Sequence, residues 1–235
     1  MIYVILLSGR INSWVIIMNR NFDAVIFDFD GTIADTGKGI FACIRYALKA
    51  YGLPDLSEES IRTFIGPPLH DSFKRECGTD DEMTTRLVAK YRERYAVKGI
   101  NEFDLYDGIT DLLRTLRANG IKTGIASSKP EDFINIIVND NNMSELFDVT
   151  SGSDPKYVES DKTQIVKACI KKMNLGENAR YLMVGDRCYD IIGAHNAGIP
   201  CAAVLFGYGN KEEFIEYKAE YIAADTKELE KIILG

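Results

Sequence analysis

Short, almost wholly apolar runs recur along this chain and alternate with stretches of helical periodicity, a pattern that sharply limits how it can fold. Ala24-Val25-Ile26-Phe27, Lys122-Thr123-Gly124-Ile125-Ala126, Tyr181-Leu182-Met183-Val184 and Ala202-Ala203-Val204-Leu205-Phe206 each read as a strand buried on both faces. Between them, Ile109, Leu112, Leu113 and Leu116 recur at helical spacing and stop at Asn119-Gly120. Phe133, Ile134, Ile137 and Val138 form a second stripe, and Ile165, Val166, Cys169, Ile170 and Met173 a third. Strands alternating with helices imply an α/β fold, a doubly wound parallel sheet covered on both faces.

One stretch breaks the alternation. From about Thr36 to Asp104 no strand is readable. Ile40, Cys43, Ile44, Ala47 and Leu48 make a helical stripe closing at Tyr51-Gly52, and further helices are predicted over Glu58–Phe64, Leu69–Cys77 and Glu82–Val97. Residues 36–104 therefore read as an inserted all-helical cap domain, in an α/β core built from residues 18–35 and 105–235. The first 17 residues hold two apolar runs, each too short to span a bilayer, and no basic segment leads into a continuous apolar stretch. They read as an extension not needed for folding or activity, with Met18 as the working start.

A chain of 235 residues suits one large domain carrying a smaller one. The net charge of −7 gives no electrostatic footprint for nucleic acid. Five scattered cysteines without a C-x-x-C pair argue against a disulfide framework and fit a reducing, cytoplasmic setting, with the thiols as small buried side chains. Only two histidines, His70 and His195, are present, so a three-histidine zinc site is excluded.

Ligands of an open parallel sheet bind beyond the carboxyl ends of its strands. The first strand runs into Asp28-Phe29-Asp30-Gly31-Thr32, the second into Ser127-Ser128-Lys129 and the third into Gly185-Asp186-Arg187, with Asp190 just beyond. Lys162 opens a helix beginning near Thr163. Four carboxylates, a hydroxyl and a lysine thus converge on one edge. Apart they would be costly like charges, and together they suit a phosphate and a metal ion.

These segments resemble the haloacid dehalogenase superfamily: Asp28–Thr32 is similar to its first motif and Gly185–Asp190 to its fourth. The similarity runs from Phe22 to the C-terminus, with Tyr106-Asp107-Gly108 re-entering the core. It is nearest to the phosphoglycolate phosphatase-like group, on Gly66-Pro67-Pro68-Leu69 in the cap and Gly207-Tyr208-Gly209 after the last long strand. The resemblance implies that Asp28 is the nucleophile and Asp30 the general acid and base. It implies Mg²⁺ held by Asp28, Asp186 and the Asp30 carbonyl, with Asp190 helping directly or through water. Ser127 and Lys162, with Gly31, Thr32 and Ser128, would bind the phosphoryl group. The cap, through Gly66, Pro67 and His70, would select the substrate, a small phosphorylated metabolite. No membrane or nucleic acid partner is implied. Hard oxygen donors and a lysine meet what phosphoryl transfer demands, positioning and charge neutralisation.

Two departures stand out. Many relatives carry an Arg shortly before the lysine, where this chain has Glu159-Ser160-Asp161, and Lys156 is the nearest substitute. Ser127 replaces the commoner Thr and keeps the hydroxyl. A P-loop is rejected because five residues separate Gly31 from Gly37 and Gly39 stands where a Ser or Thr must bind metal. A receiver-type phosphorylation domain would be about half this length and lack the helical insert. Asp30 favours a phosphatase over a dehalogenase, with a phosphomutase as the alternative.

Overall fold

The computed structural model describes residues 20–153 and 161–235. The N-terminal extension and Lys156 lie outside the described residues. Strand β1 (Ala24–Phe27) is followed by the two-residue β2 (Ala34–Asp35) and helices α1 (Gly37–Ala50), α2 (Glu58–Arg62), α3 (Leu69–Cys77) and α4 (Asp81–Val97). The chain returns through β3 (Asp104–Leu105), and then come α5 (Ile109–Ala118), β4 (Lys122–Pro130), α6 (Glu131–Asp140) and β5 (Val149–Ser153). The remainder is α7 (Lys162–Met173), β6 (Tyr181–Gly185), α8 (Cys188–Ala197), β7 (Cys201–Val204), α9 (Lys211–Glu216), β8 (Tyr221–Ala223) and α10 (Thr226–Leu234).

Six strands form one parallel sheet in the order β5-β4-β1-β6-β7-β8. Its alternating side chains feed two cores: Val25, Phe27, Leu182 and Val184 face one layer, and Ala24, Ile26 and Met183 the other. That two-sided burial is why β1 reads as a continuous apolar run. From β1 the chain builds outward through β4 and β5, then crosses back to β6, β7 and β8. The order reverses beside β1, which makes its carboxyl end the switch point where a ligand crevice opens.

Helices α1–α4 lie between β2 and β3, and the ends of this stretch are tied. β2 and β3 pair antiparallel, Ala34 opposite Leu105, so the chain leaves and re-enters the core at one place. Within the insert α4 packs on α1 and α3. Asp80 accepts a hydrogen bond from the Met83 amide and fixes the start of α4. The predicted helix at residues 58–64 is shorter, ending at Arg62, and the last strand is Cys201–Val204 rather than 202–206. Leu205 and Phe206 fall in the turn beyond it. Three of the cysteines are buried, but Cys77 and Cys188 are half-buried; all five are free thiols.

Candidate active site

Local structure delivers each charged group to the end of β1. Asp28 continues the ladder past β1, its amide donating to the Val184 carbonyl at 2.8 Å. Asp161 accepts from the Thr163 amide at 2.8 Å and so caps α7, which puts Lys162 in its first turn. From there the Lys162 Nζ lies 2.8 Å from Asp28 Oδ1 and 2.7 Å from Asp190 Oδ1. Asp186 follows β6, and its Oδ2 accepts the Tyr208 amide at 2.7 Å. Asp190, in the first turn of α8, turns Oδ2 back to the amides of Asp186 and Arg187, each at 3.1 Å. This satisfies donors at the helix start and fixes the carboxylate.

Two glycines let the backbone close around Asp186. Gly31 has φ +86°, and a Cβ there would stand 2.1 Å from Asp186 Oδ2. At Gly207 a Cβ would stand 2.3 Å from both Asp186 Cβ and the Gly31 carbonyl oxygen. Any side chain at either position would push the carboxylate out of place.

Asp28, Asp186 and Asp190 are buried and offer oxygens all within 4.8 Å of one another. Burial pushes the Asp28 carboxyl up to about 6, with Asp190 and Asp30 adding to the rise and Lys162 opposing it. Burial, then Asp190 and Asp28, push Asp186 well above the usual carboxylate range. Lys162 stays an ammonium, because its two aspartates outweigh the burial that would lower it. Three carboxylates and one ammonium leave two negative charges, the complement of a divalent cation. All donors are hard oxygens, so the cluster suits a hard divalent cation rather than a soft metal. Asp30 stands apart from this cluster. Its Oδ1 lies 3.2 Å from the Lys129 Nζ, which also donates to the Tyr95 hydroxyl at 2.5 Å.

Asp28, Asp30, Lys129, Lys162 and Asp190 line the floor of a cavity of about 290 Å³ whose other wall comes from the helical insert. With that geometry in view, the family pattern of haloacid dehalogenase-like hydrolases matches residues 25–204. The chain belongs to that family. The hydrolase is 30% identical to a 5'-nucleotidase of Pseudomonas aeruginosa over 89% of this chain and 94% of that protein. It is 31% identical to tyrosine-protein kinase PtkA of Mycobacterium tuberculosis, over 88% of this chain and 70% of that one. The crystal structure of a predicted phosphatase from Clostridium acetobutylicum superposes with a TM-score of 0.84 at 33% identity, covering 89% of this chain and 97% of that one. Among the described residues no helix of the hydrolase is long and apolar enough to cross a membrane.

The hydrolase brings most of the residues expected from its sequence into one place. Asp28, Asp30, Ser127, Ser128, Lys162 and Asp190 line the cavity, as do Gly66, Pro67 and His70 from the insert. Asp186 lies behind them, fully buried. Gly31 and Thr32, expected at the phosphoryl group, are not in the cavity wall. Thr32 instead points its hydroxyl at Asp186 Oδ1, 3.5 Å away, because the positive φ of Gly31 turns the chain beneath that carboxylate. His195 is at the surface, 3.1 Å from Glu220, away from the cavity. No local pattern marks Tyr95, the inward turn of Lys129 or the contact of Arg187 with the insert. Arg187 donates to the Ile65 carbonyl at 2.7 Å, joining the turn after β6 to the segment after α2.

Proposed function

We propose that the protein is a Mg²⁺-dependent phosphatase that hydrolyses a small phosphate monoester by way of a phosphorylated Asp28. The observation that carries this reading is the buried trio Asp28, Asp186 and Asp190, with Lys162 bridging Asp28 and Asp190 at the floor of a cavity and Asp186 just behind. Family membership supports hydrolase chemistry, and the relatives named as a 5'-nucleotidase and a phosphatase support phosphate esters as substrates.

Asp28 attacks the phosphorus and takes up the phosphoryl group as the ester oxygen leaves. Asp30 gives that oxygen a proton, then removes one from the water that attacks the aspartyl phosphate and returns Asp28. Lys162 and the Ser127 hydroxyl hold phosphoryl oxygens throughout. Asp28, Asp186 and the Asp30 carbonyl, with help from Asp190, would hold Mg²⁺, which would supply neutralisation of phosphoryl charge when bound. The insert closes over the site and selects the leaving group through Gly66, Pro67 and His70. Phosphoglycolate, a nucleoside monophosphate and a sugar phosphate are the candidate substrates, and a phosphomutase is the alternative outcome of the same chemistry.

Incubation of the purified protein with a panel of these esters tests the reading. Inorganic phosphate is expected to accumulate, to stop on exhaustive chelation and to resume with Mg²⁺. Ca²⁺ is expected to inhibit, since its larger and looser coordination misplaces the nucleophile. Phosphate returned to a second hydroxyl of the substrate would mark a mutase, and undiminished turnover after chelation would remove the metal from the scheme.

The raised carboxyls predict how the metal acts on stability. For Asp28 the folded value of about 6 exceeds the unfolded 3.8, so its favourable contribution is present below 3.8 and is lost as pH rises through 6. Asp186 shifts in the same sense. A bound cation needs both deprotonated, so its effect grows with pH across that window. At about 100 times its Kd a ligand adds about 2.7 kcal/mol. For a chain of this size that raises Tm by roughly 5–10 °C. A shift of that order is expected with Mg²⁺ at pH 7.5 and a much smaller one at pH 5. Equal shifts at both pH values would contradict the assignment.

A further inference from the structure

Two lysines are buried among the described residues, Lys162 and Lys129, and the reaction above uses only the first. Lys129 leaves the end of β4 and reaches two groups at once: the Asp30 carboxylate at 3.2 Å and the Tyr95 hydroxyl at 2.5 Å. Its ammonium also stands 4.5 Å from the centre of the Tyr95 ring. Tyr95 is itself held on two sides. Tyr91, one turn back on α4, stacks on it at 5.5 Å with ring planes 11° apart, and Phe133 of α6 meets it at 5.4 Å. A buried ammonium is tolerated only when paired. Here the pair is Asp30, which lines the cavity beside the nucleophile, and the clamp on that pair comes from the helical insert.

We propose that Lys129 and Tyr95 are positioning residues for the proton-transfer step, Lys129 gripping the Asp30 carboxyl on the leaving-group side and Tyr95 fixing Lys129. The inference rests on the reading of Asp30 as acid and base. It gives the insert a part in the chemistry as well as in selection: α4 supplies the hydroxyl and ring that hold the acid in line. An acid displaced by about 1 Å can cost on the order of 100-fold, while a leaving group that departs without a proton is indifferent to it.

The test compares kcat/KM for glycerol 2-phosphate, whose alkoxide needs a proton, with that for p-nitrophenyl phosphate, whose phenolate does not. Tyr95→Phe keeps the ring and removes the hydroxyl, and it is expected to fall about tenfold more on the alkyl ester than on the aryl ester. Lys129→Met is expected to widen that gap towards 100-fold, and Lys129→Arg to recover part of it. Asp30→Asn, measured on the same pair, separates the two levels of the argument. If Asp30→Asn discriminates between the esters and the other variants lose both equally, Lys129 and Tyr95 are structural or bind phosphate, and the inference falls alone. If Asp30→Asn does not discriminate, the reading of Asp30 falls and takes the inference with it. Should Lys129→Met fail to fold, Tyr95→Phe decides.

Discussion

Asp28→Asn is expected to abolish turnover while leaving the fold as stable as before or slightly more so. The loss should be on the order of 10⁶, as for removal of a nucleophile from a set of groups acting as a unit. An amide neither attacks phosphorus nor serves well as a Mg²⁺ ligand. Stability moves the other way because Asp28 is buried among acidic neighbours and its carboxyl is already pushed up to about 6. A neutral side chain of the same shape relieves that repulsion, and Lys162 keeps Asp190 at 2.7 Å as its partner. Activity and Tm, read on one preparation, therefore separate a chemical role from a structural one. Asp30→Asn gives the contrast. It loses proton transfer, so with an activated ester the first half-reaction outruns the second and aspartyl phosphate should collect on Asp28, seen as a mass increase released by hydroxylamine. Turnover of Asp28→Asn within tenfold of the native protein, or a label mapping to another residue, would sink the assignment.

The parts of this protein visible in its sequence are those where one local rule acts alone. β1 and β6 lie inside the sheet, every residue of each is buried, and an unbroken apolar run is their direct trace. β5 is an edge strand reading Val149-Thr150-Ser151-Gly152-Ser153, and only one of its residues is fully buried. No apolar run could mark it, and the same holds for the three-residue edge strand β8. β4 extends to Pro130 because that residue pairs with Ser153 beyond an irregularity, a contact that depends on β5 being there.

The same logic applies to the cavity. Asp28, Asp186, Asp190 and Lys162 each sit at a strand end or helix start, so a rule about parallel sheets finds them. Lys129 stands near the end of β4, yet nothing in the chain's local pattern distinguishes a lysine that turns inward from one that points to water. What turns it inward is Tyr95, 34 residues away in the insert. Thr32 lies outside the cavity wall for a related reason. A hydroxyl beside the nucleophile reads as a phosphate ligand, until the turn at Gly31 sends it beneath Asp186.

Lys162→Met should damage the protein more than any other single change at the cavity floor, and in a pH-dependent way. The ammonium is the only cation within 3 Å of Asp28 or Asp190 among the described residues. Methionine keeps most of the volume and packs beside Gly193, where the Lys162 stem already lies close. What is lost is charge, and removing one partner of a buried ion pair costs about 3–5 kcal/mol. At roughly 2–4 °C per kcal/mol for a chain of this size, Tm should fall by about 6–20 °C near pH 7.5. Acid should reverse part of that loss, since protonating Asp28 removes a charge that no longer has a counter-ion. Mg²⁺ should also restore part of it, by supplying positive charge to the same carboxylates, without restoring activity, because the phosphoryl oxygens still lack their lysine. Acid and metal are alternative ways to neutralise one cluster, so in the variant their effects on Tm should not add. A variant with native Tm at pH 7.5, or one destabilised equally at pH 5 and 7.5, would show that Lys162 is not the charge that holds these aspartates together.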